Sequence, residues 1–306
     1  MSTVRTVLGD VAPEQLGVTD AHDHLFLRMP RLAGEELDDQ DAAIAELAAF
    51  RDAGGDTVIH WTPHGLGRRA GDLVAVSEAA GAHVVAATGL HQEAHYDPQL
   101  LAGLRSGLAE LFVTELTEGI EGEGPATPRA GMIKVAGDFH SLSRHTRWVM
   151  TAAAEAHRET GATIGVHLER GTAAALVVDL LCVRLGVPPA KVVLGHLNRS
   201  PDLGMYHEVA AAGVFLAFDG PSRANHESDW RLFESLVALA EFGCSDRLLF
   251  GGDTTTASAR AATDGGPGMP YLLSTMRPRL TSELGEDVVR RMMVTNPARA
   301  FANDWR

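Results

Sequence analysis

The sequence predicts an α/β protein built as one closed (β/α)8 TIM barrel, on three observations. Eight short runs of consecutive apolar residues alternate with stretches of helical periodicity, and strands apolar at every position are those of a parallel sheet buried on both faces. No glycine-rich dinucleotide fingerprint follows the first run, which weighs against an open doubly wound sheet. Imidazole, carboxylate and amine side chains stand in or at the ends of these runs, where such barrels place their chemistry. Barrels of this length are routinely single domains, so the 306 residues read as one, spanning 1–306.

The first strand runs through Leu16-Gly17-Val18-Thr19 into Asp20-Ala21-His22-Asp23-His24. Side chains alternate across a strand, so His22 and His24 face the same way, about 6–7 Å apart. A helix over Glu35 to Ala53 follows, with Ile44, Leu47 and Ala48 at helical spacing and Gly54-Gly55 at its end. The unit then repeats. Strands are expected at Thr57 to Trp61, His83 to Thr88, Gly131 to Val135, Thr163 to His167, Lys191 to His196, Gly213 to Asp219 and Arg247 to Asp253. Helices are expected at Arg69 to Ala80, most of Pro98 to Gly119, Arg144 to Thr160, Thr172 to Leu185, Asp202 to Ala212, Asp229 to Phe242 and Ser282 to Thr295.

With 45% hydrophobic residues the chain can bury a large core. A formal charge of -14 and a pI near 5.4, without clustered Lys and Arg, argue against nucleic acid or an anionic membrane as partner. No apolar stretch approaches the roughly 20 residues that span a bilayer. Met1 to Asp10 lacks the pattern of a secretory signal. Cys182 and Cys244 lie far apart in apolar segments and read as two buried thiols, in keeping with a cytoplasmic location. A small-molecule substrate is the partner that remains.

The polar residues make that expectation specific. Strand one ends at His22 and His24, strand two at His60, strand five at His167, strand six at His196, strand seven at Asp219 and strand eight at Asp253. Lys134 lies inside strand four, between Ile133 and Val135, where an unpaired ammonium costs several kcal/mol. A neutral lysine can instead take up carbon dioxide and become an N-carboxylate that bridges two cations. Four His, one Asp and such a lysine could hold two divalent ions with a hydroxide between them, and the reaction class that follows is hydrolysis.

His22-Asp23-His24, Lys134 within Ala130-Gly131-Met132-Ile133-Lys134, His167, Gly195-His196 and Asp253 resemble the phosphotriesterase family of the amidohydrolase superfamily. The similarity runs from Thr6-Val7-Leu8-Gly9 through Glu115-x-x-Glu118-Gly119-Ile120 to Thr295-Asn296-Pro297-Ala298-Arg299. It implies a distorted barrel of the amidohydrolase type. His22, His24 and Asp253 would hold the more buried ion and His167 and His196 the more exposed one, with carboxylated Lys134 bridging both. The bridging hydroxide would attack and Asp253 would carry away its proton, which makes Asp253 and Lys134 the catalytic pair. The family uses zinc, manganese or cobalt; zinc is expected, and the donor set suits iron as well. Family members commonly form homodimers.

The resemblance also has departures. Organophosphate-degrading members pass the proton on through an Asp and a His that would fall near Arg199 and Gly220 here. Lactonase members place a Tyr after the third strand and an Arg after the seventh, where this chain has His91 and again Gly220. Gly265-Gly266-Pro267-Gly268-Met269-Pro270-Tyr271-Leu272 resembles the branch that holds the phosphotriesterase homology proteins and hydrolases of sugar lactones. Homology proteins can carry Glu at the bridging position, where this chain keeps Lys134. The resemblance therefore implies hydrolysis of a lactone, sugar lactones included, or a related carboxylic ester. The alternative is a phosphotriesterase or phosphodiesterase acting on organophosphate esters, and a metal-binding regulatory protein is a more distant reading.

His91, Arg223 and Arg260 are the candidates for substrate binding. The two arginines follow strands seven and eight and could hold an anion through the guanidinium fork, or could be surface charge. His60, His64 and His95 either touch substrate or are solvated loop groups, and Trp61 either walls the pocket or packs the rim. His157 and His207 fall on expected helices, where exposure is the default; His140, His145 and His226 show no partner pattern.

Overall fold

The computed structural model describes residues 2–200, 202–219 and 231–306. Two three-residue strands, β1 (Val4–Thr6) and β2 (Gly9–Val11), form an antiparallel hairpin absent from the sequence reading, since runs so short carry no legible alternation. Eight further strands follow: β3 (Thr19–Asp23), β4 (Thr57–His60), β5 (His83–Gly89), β6 (Met132–Ala136), β7 (Thr163–His167), β8 (Val192–Gly195), β9 (Phe215–Asp219) and β10 (Leu248–Gly251). They lie parallel, in chain order, in one sheet. The Gly252 and Asp253 N–H groups donate to the His22 carbonyl at 3.0 and 2.9 Å, which draws the last strand onto the first and makes the sheet a nearly closed barrel. The hairpin fastens to the other end, where Val7 N–H donates to Val84 O at 2.8 Å.

The continuous apolar runs divide by alternation into two packed sets. Ile59, Trp61, Val85, Ala87, Met132, Val193, Phe215, Ala217 and Leu249 fill the inside of the barrel. Their neighbours Val58, Val84, Ala86, Ile133, Val135, Ile164, Val166, Leu194, Phe218 and Phe250 pack against the helices. This phase places the polar residues. Lys134 is two residues from inward Met132, His167 lies in register with inward positions of β7, and Asp219 is two residues from inward Ala217. His60 falls between inward Ile59 and Trp61, so it faces the helix layer. Along β3 the pairing with β4 shifts between Asp20 and Asp23. Such irregularities re-aim side chains beside active sites, and here His22 stacks on the Trp61 indole with ring centres 4.0 Å apart.

The helices agree with expectation in place and differ at their ends. The first begins at Gln40, because the Asp39 side chain accepts the Ala42 N–H as an N-cap. The Pro98 to Gly119 stretch is two helices, Pro98–Leu104 and Leu108–Thr117. The Ser282 to Thr295 helix is split by Gly285, whose φ of 82° no helix accommodates. Cys244 is buried and Cys182 half-buried, and neither is paired. Among the described residues no helix is long and apolar enough to cross a membrane.

Candidate metal centre

His22, His24 and Asp253 come together from the two strands at the barrel seam, with ligand atoms all within 4.8 Å of one another and each residue buried. Asp253 Oδ1 lies 3.5 Å from His22 Nε2 and 3.4 Å from His24 Nε2. Three donors this close, two imidazoles and a carboxylate, suit one divalent ion.

The hydrogen bonds decide which nitrogen each ring offers. Thr62 Oγ1 donates its single proton to Phe26 O at 2.6 Å, so at its 2.7 Å contact with His24 Nδ1 the hydroxyl accepts. The His24 proton is therefore on Nδ1, and Nε2 keeps its lone pair for a metal. Asp219 does the same for His196 and stands close to His22. Its Oδ1 stands 3.0 Å from His22 Nδ1, close although poorly aligned as a hydrogen bond, and its Oδ2 accepts from His196 Nδ1. By distance alone His22, His196 and Asp219 could also surround a cation. A carboxylate on the Nδ1 side of both rings, one of whose protons it accepts, is better read as a hydrogen-bonding partner. Sequence reading placed Asp219 at a strand end but gave it no role; its position two residues beyond an inward apolar residue was the available signal.

Small residues let the rings approach. A Cβ at Gly195 would sit 3.5 Å from His22 Nδ1, and one at Gly165 would sit 2.9 Å from the Trp61 ring beneath it. At Gly251 a Cβ would fall 2.7 Å from His22 N and 2.8 Å from His22 O. Gly251→Ala is therefore expected to destabilise the fold by about 1–3 kcal/mol, as overpacking against backbone does. Equilibrium denaturant unfolding reads this loss, and unchanged stability would show that the seam can shift.

His167 and His196 supply the second pair of imidazoles, with ring centres 4.4 Å apart, and His22 lies 4.7 Å from His196. His167 Nε2 is 3.2 Å from Glu169 Oε2, which leaves Nδ1 as its ligand atom. Lys134, 3% exposed, completes the set. In the sheet it stands beside Gly89 and Gly165. Burial pushes the Lys134 amine down to about 7 against the opposing pull of Asp253. Burial likewise takes His24 to about 4 and holds His167 and His196 below the usual imidazole range, so all three rings are neutral at pH 7. Burial works to raise the Asp253 carboxyl, but His196, Arg199, His24 and His22 outweigh it and hold the group well below the usual carboxylate range. Two of these residues sit on left-handed backbone, His196 at φ 63° and Asp253 at φ 53°. Non-glycine residues rarely adopt it, and it clusters at functional sites. At His196 it turns a ring that the β8 alternation would send outward onto the shared site.

These groups floor a cavity of about 200 Å³, walled on one side by Leu27, Met29, Leu32, Pro63 and Leu66 and on the other by His91, Arg199 and Thr255. His91 is held at three points: its N–H donates to Tyr96 Oη at 2.8 Å, its carbonyl meets His145 Nε2 at 2.9 Å, and its Nδ1 accepts the Gln92 N–H at 2.7 Å. The ring proton is thereby on Nε2, a donor. Arg260 is not a substrate group. It is 2% exposed, does not line the cavity, and its guanidinium donates to the Leu25 carbonyl. Arg223, Gly220 and His226 lie outside the described residues. His60 accepts the Leu25 N–H at Nδ1, and His64 pairs with Glu115 at 3.3 Å; neither lines the cavity. His95 is buried edge-on against His91. His157, expected to be exposed on its helix, is buried instead and bonds the Ala162 carbonyl beyond the helix end through Nδ1 at 2.7 Å. Trp61 packs beneath the site, with its Nε1 donating to Ala21 O at 2.8 Å.

The model of the phosphotriesterase family matches residues 2–301. A phospho-furanose lactonase of Mycoplasmopsis synoviae is 31% identical over 98% of this chain and 92% of its own. The crystal structure of a lactonase from Listeria monocytogenes superposes with a TM-score of 0.90 at 28% identity, covering 98% of both chains. A phosphotriesterase-like lactonase of Deinococcus radiodurans, solved as a mutant, gives 0.85 at 31% identity over 98% of this chain and all of that one. With its nearly closed barrel and its seam of His and Asp donors, the chain is an enzyme of the phosphotriesterase family.

Proposed function

We propose that this enzyme hydrolyses a lactone, sugar lactones included, or a related carboxylic ester, using two divalent ions, zinc foremost, held by His22, His24, Lys134, His167, His196 and Asp253. The observation that carries the reading is Lys134. An inward, buried amine pushed to about 7 is half unprotonated near neutrality, and it stands among four imidazoles and one carboxylate. Such a donor set fits a pair of borderline ions. Its unprotonated Nζ adds to the carbon of carbon dioxide, forming an N–C bond and releasing one proton, and becomes a carboxylate able to face both ions.

When bound, the ions supply a hydroxide at neutral pH and polarise the substrate carbonyl. Asp253 receives the proton of the attacking hydroxide and returns it to the departing alkoxide. The apolar wall of Leu27, Met29, Leu32, Pro63 and Leu66 keeps bulk water from the reacting group, and the His91 Nε2–H offers an oxygen of the substrate a hydrogen bond. The names of the lactonase relatives support the substrate class.

The test is turnover by manganese- or zinc-loaded protein prepared with bicarbonate, across sugar lactones, phosphorylated sugar lactones, acyl-homoserine lactones and an aryl phosphotriester. Proton release reads the lactones and the phenol chromophore reads the phosphotriester. The expected result is fast turnover of one lactone class with slow phosphotriester cleavage. Efficient phosphotriester cleavage with inert lactones would overturn the reading in favour of an organophosphate hydrolase.

A further inference from the structure

Asp253 presents its two oxygens to different surroundings. Oδ1 faces the Nε2 atoms of His22 and His24 at 3.5 and 3.4 Å. Oδ2 accepts from Arg199 Nη2 and lies 3.6 Å from His196 Nδ1. Arg199 reaches it from the loop after β8, in the short helical turn Leu197–Arg199. Its guanidinium is one-fifth exposed, lines the cavity and lies 3.9 Å from Asp219 Oδ2. The buried Arg199 Nε has no hydrogen-bond partner among the described residues.

We infer that Arg199 is a positioning residue that holds Asp253 Oδ2, so that Asp253 turns Oδ1 toward the ion that His22 and His24 would share. A guanidinium does this better than an ammonium, because its planar fork fixes direction as well as charge. A guanidinium offers donors and no acceptor, so it holds Oδ2 without taking a proton from it. Without Arg199 the carboxylate is free to rotate, and Oδ1 loses its fixed direction between His22 and His24 Nε2. The inference rests on the metal centre proposed above.

The test is a cobalt titration of the metal-free protein, with bicarbonate, for the wild type, Arg199→Gln and Arg199→Lys, followed by visible absorption, with kcat and KM measured on the best lactone. The wild type is expected to take up two cobalt ions. Arg199→Gln is expected to bind cobalt about tenfold more weakly, with altered visible bands that report a changed coordination geometry. Its kcat falls about tenfold while KM holds, and Arg199→Lys recovers part of both losses. If Arg199→Gln does not fold, the Lys variant decides: altered bands support the inference and wild-type bands overturn it. Arg199→Gln with wild-type bands and affinity would overturn the inference and leave the metal centre standing. A raised KM with unchanged kcat would make Arg199 a substrate-binding residue instead. A wild type that binds no pair of cobalt ions would remove the metal centre itself.

Discussion

Lys134→Ala is expected to lower kcat/KM by about a thousandfold, equivalent to about 4 kcal/mol of transition-state stabilisation. Lys134 is the only amine facing inward among the donors, and a methyl group there can neither take up carbon dioxide nor supply oxygen to a cation. The variant should fold, since removing a buried amine relieves a desolvation cost. Metal analysis after gel filtration should find fewer than two ions per chain, and labelled bicarbonate should give a carbamate carbon resonance in the wild type alone. Two ions retained by Lys134→Ala would remove the bridging role. A pH dependence follows from the same amine. With its pKa lowered to about 7, the reactive free base predominates above that value and is lost as pH falls through it. Reactivation of the metal-free protein by metal and carbon dioxide should therefore accelerate from pH 6 to pH 8.

Asp219→Asn is expected to weaken metal retention 10- to 100-fold, the usual cost of losing a partner behind a liganding histidine. Here one carboxylate faces two rings: its Oδ2 accepts from Nδ1 of His196, just after β8, and its Oδ1 lies 3.0 Å from Nδ1 of His22 on the seam. The distinguishing outcome is therefore that both ions weaken together. An Asn has one acceptor oxygen and cannot receive Nδ1–H from both rings. Loss confined to one ion in a competition with a chelator would show that Asp219 serves a single ring.

Much of this centre was legible because barrel strands carry two signals in one run. The apolar residues around Lys134 mark a strand buried on both faces, and Met132 and Lys134 share a phase, so an amine in that phase points into the barrel. His167 ends β7 in the same way. His60 was equally legible as an outward residue, since Ile59 and Trp61 flank it in the inward phase. His196 was not, because its direction is set by a left-handed φ at a residue that is not glycine, and no side-chain pattern announces that. Arg260 follows a site strand as the candidates for substrate do, but a bond to the Leu25 carbonyl buries it, and nothing local to its sequence reports a carbonyl so far away in the chain. Arg199 lies in a loop without periodicity, where only the fold shows that it meets Asp253.

The His22 carbonyl that receives the Gly252 and Asp253 N–H groups has a consequence for how the protein is made. Five of the six proposed metal-binding residues precede Asp253 in the chain, so a nascent polypeptide emerges with nearly all of its donors and no closed site to put them in. Until β10 is synthesised, β3 and β9 are bare sheet edges, the kind that invite pairing with other chains. Metal capture and protection from aggregation thus arrive together, once β10 has emerged. A chain truncated before residue 248 would lose both.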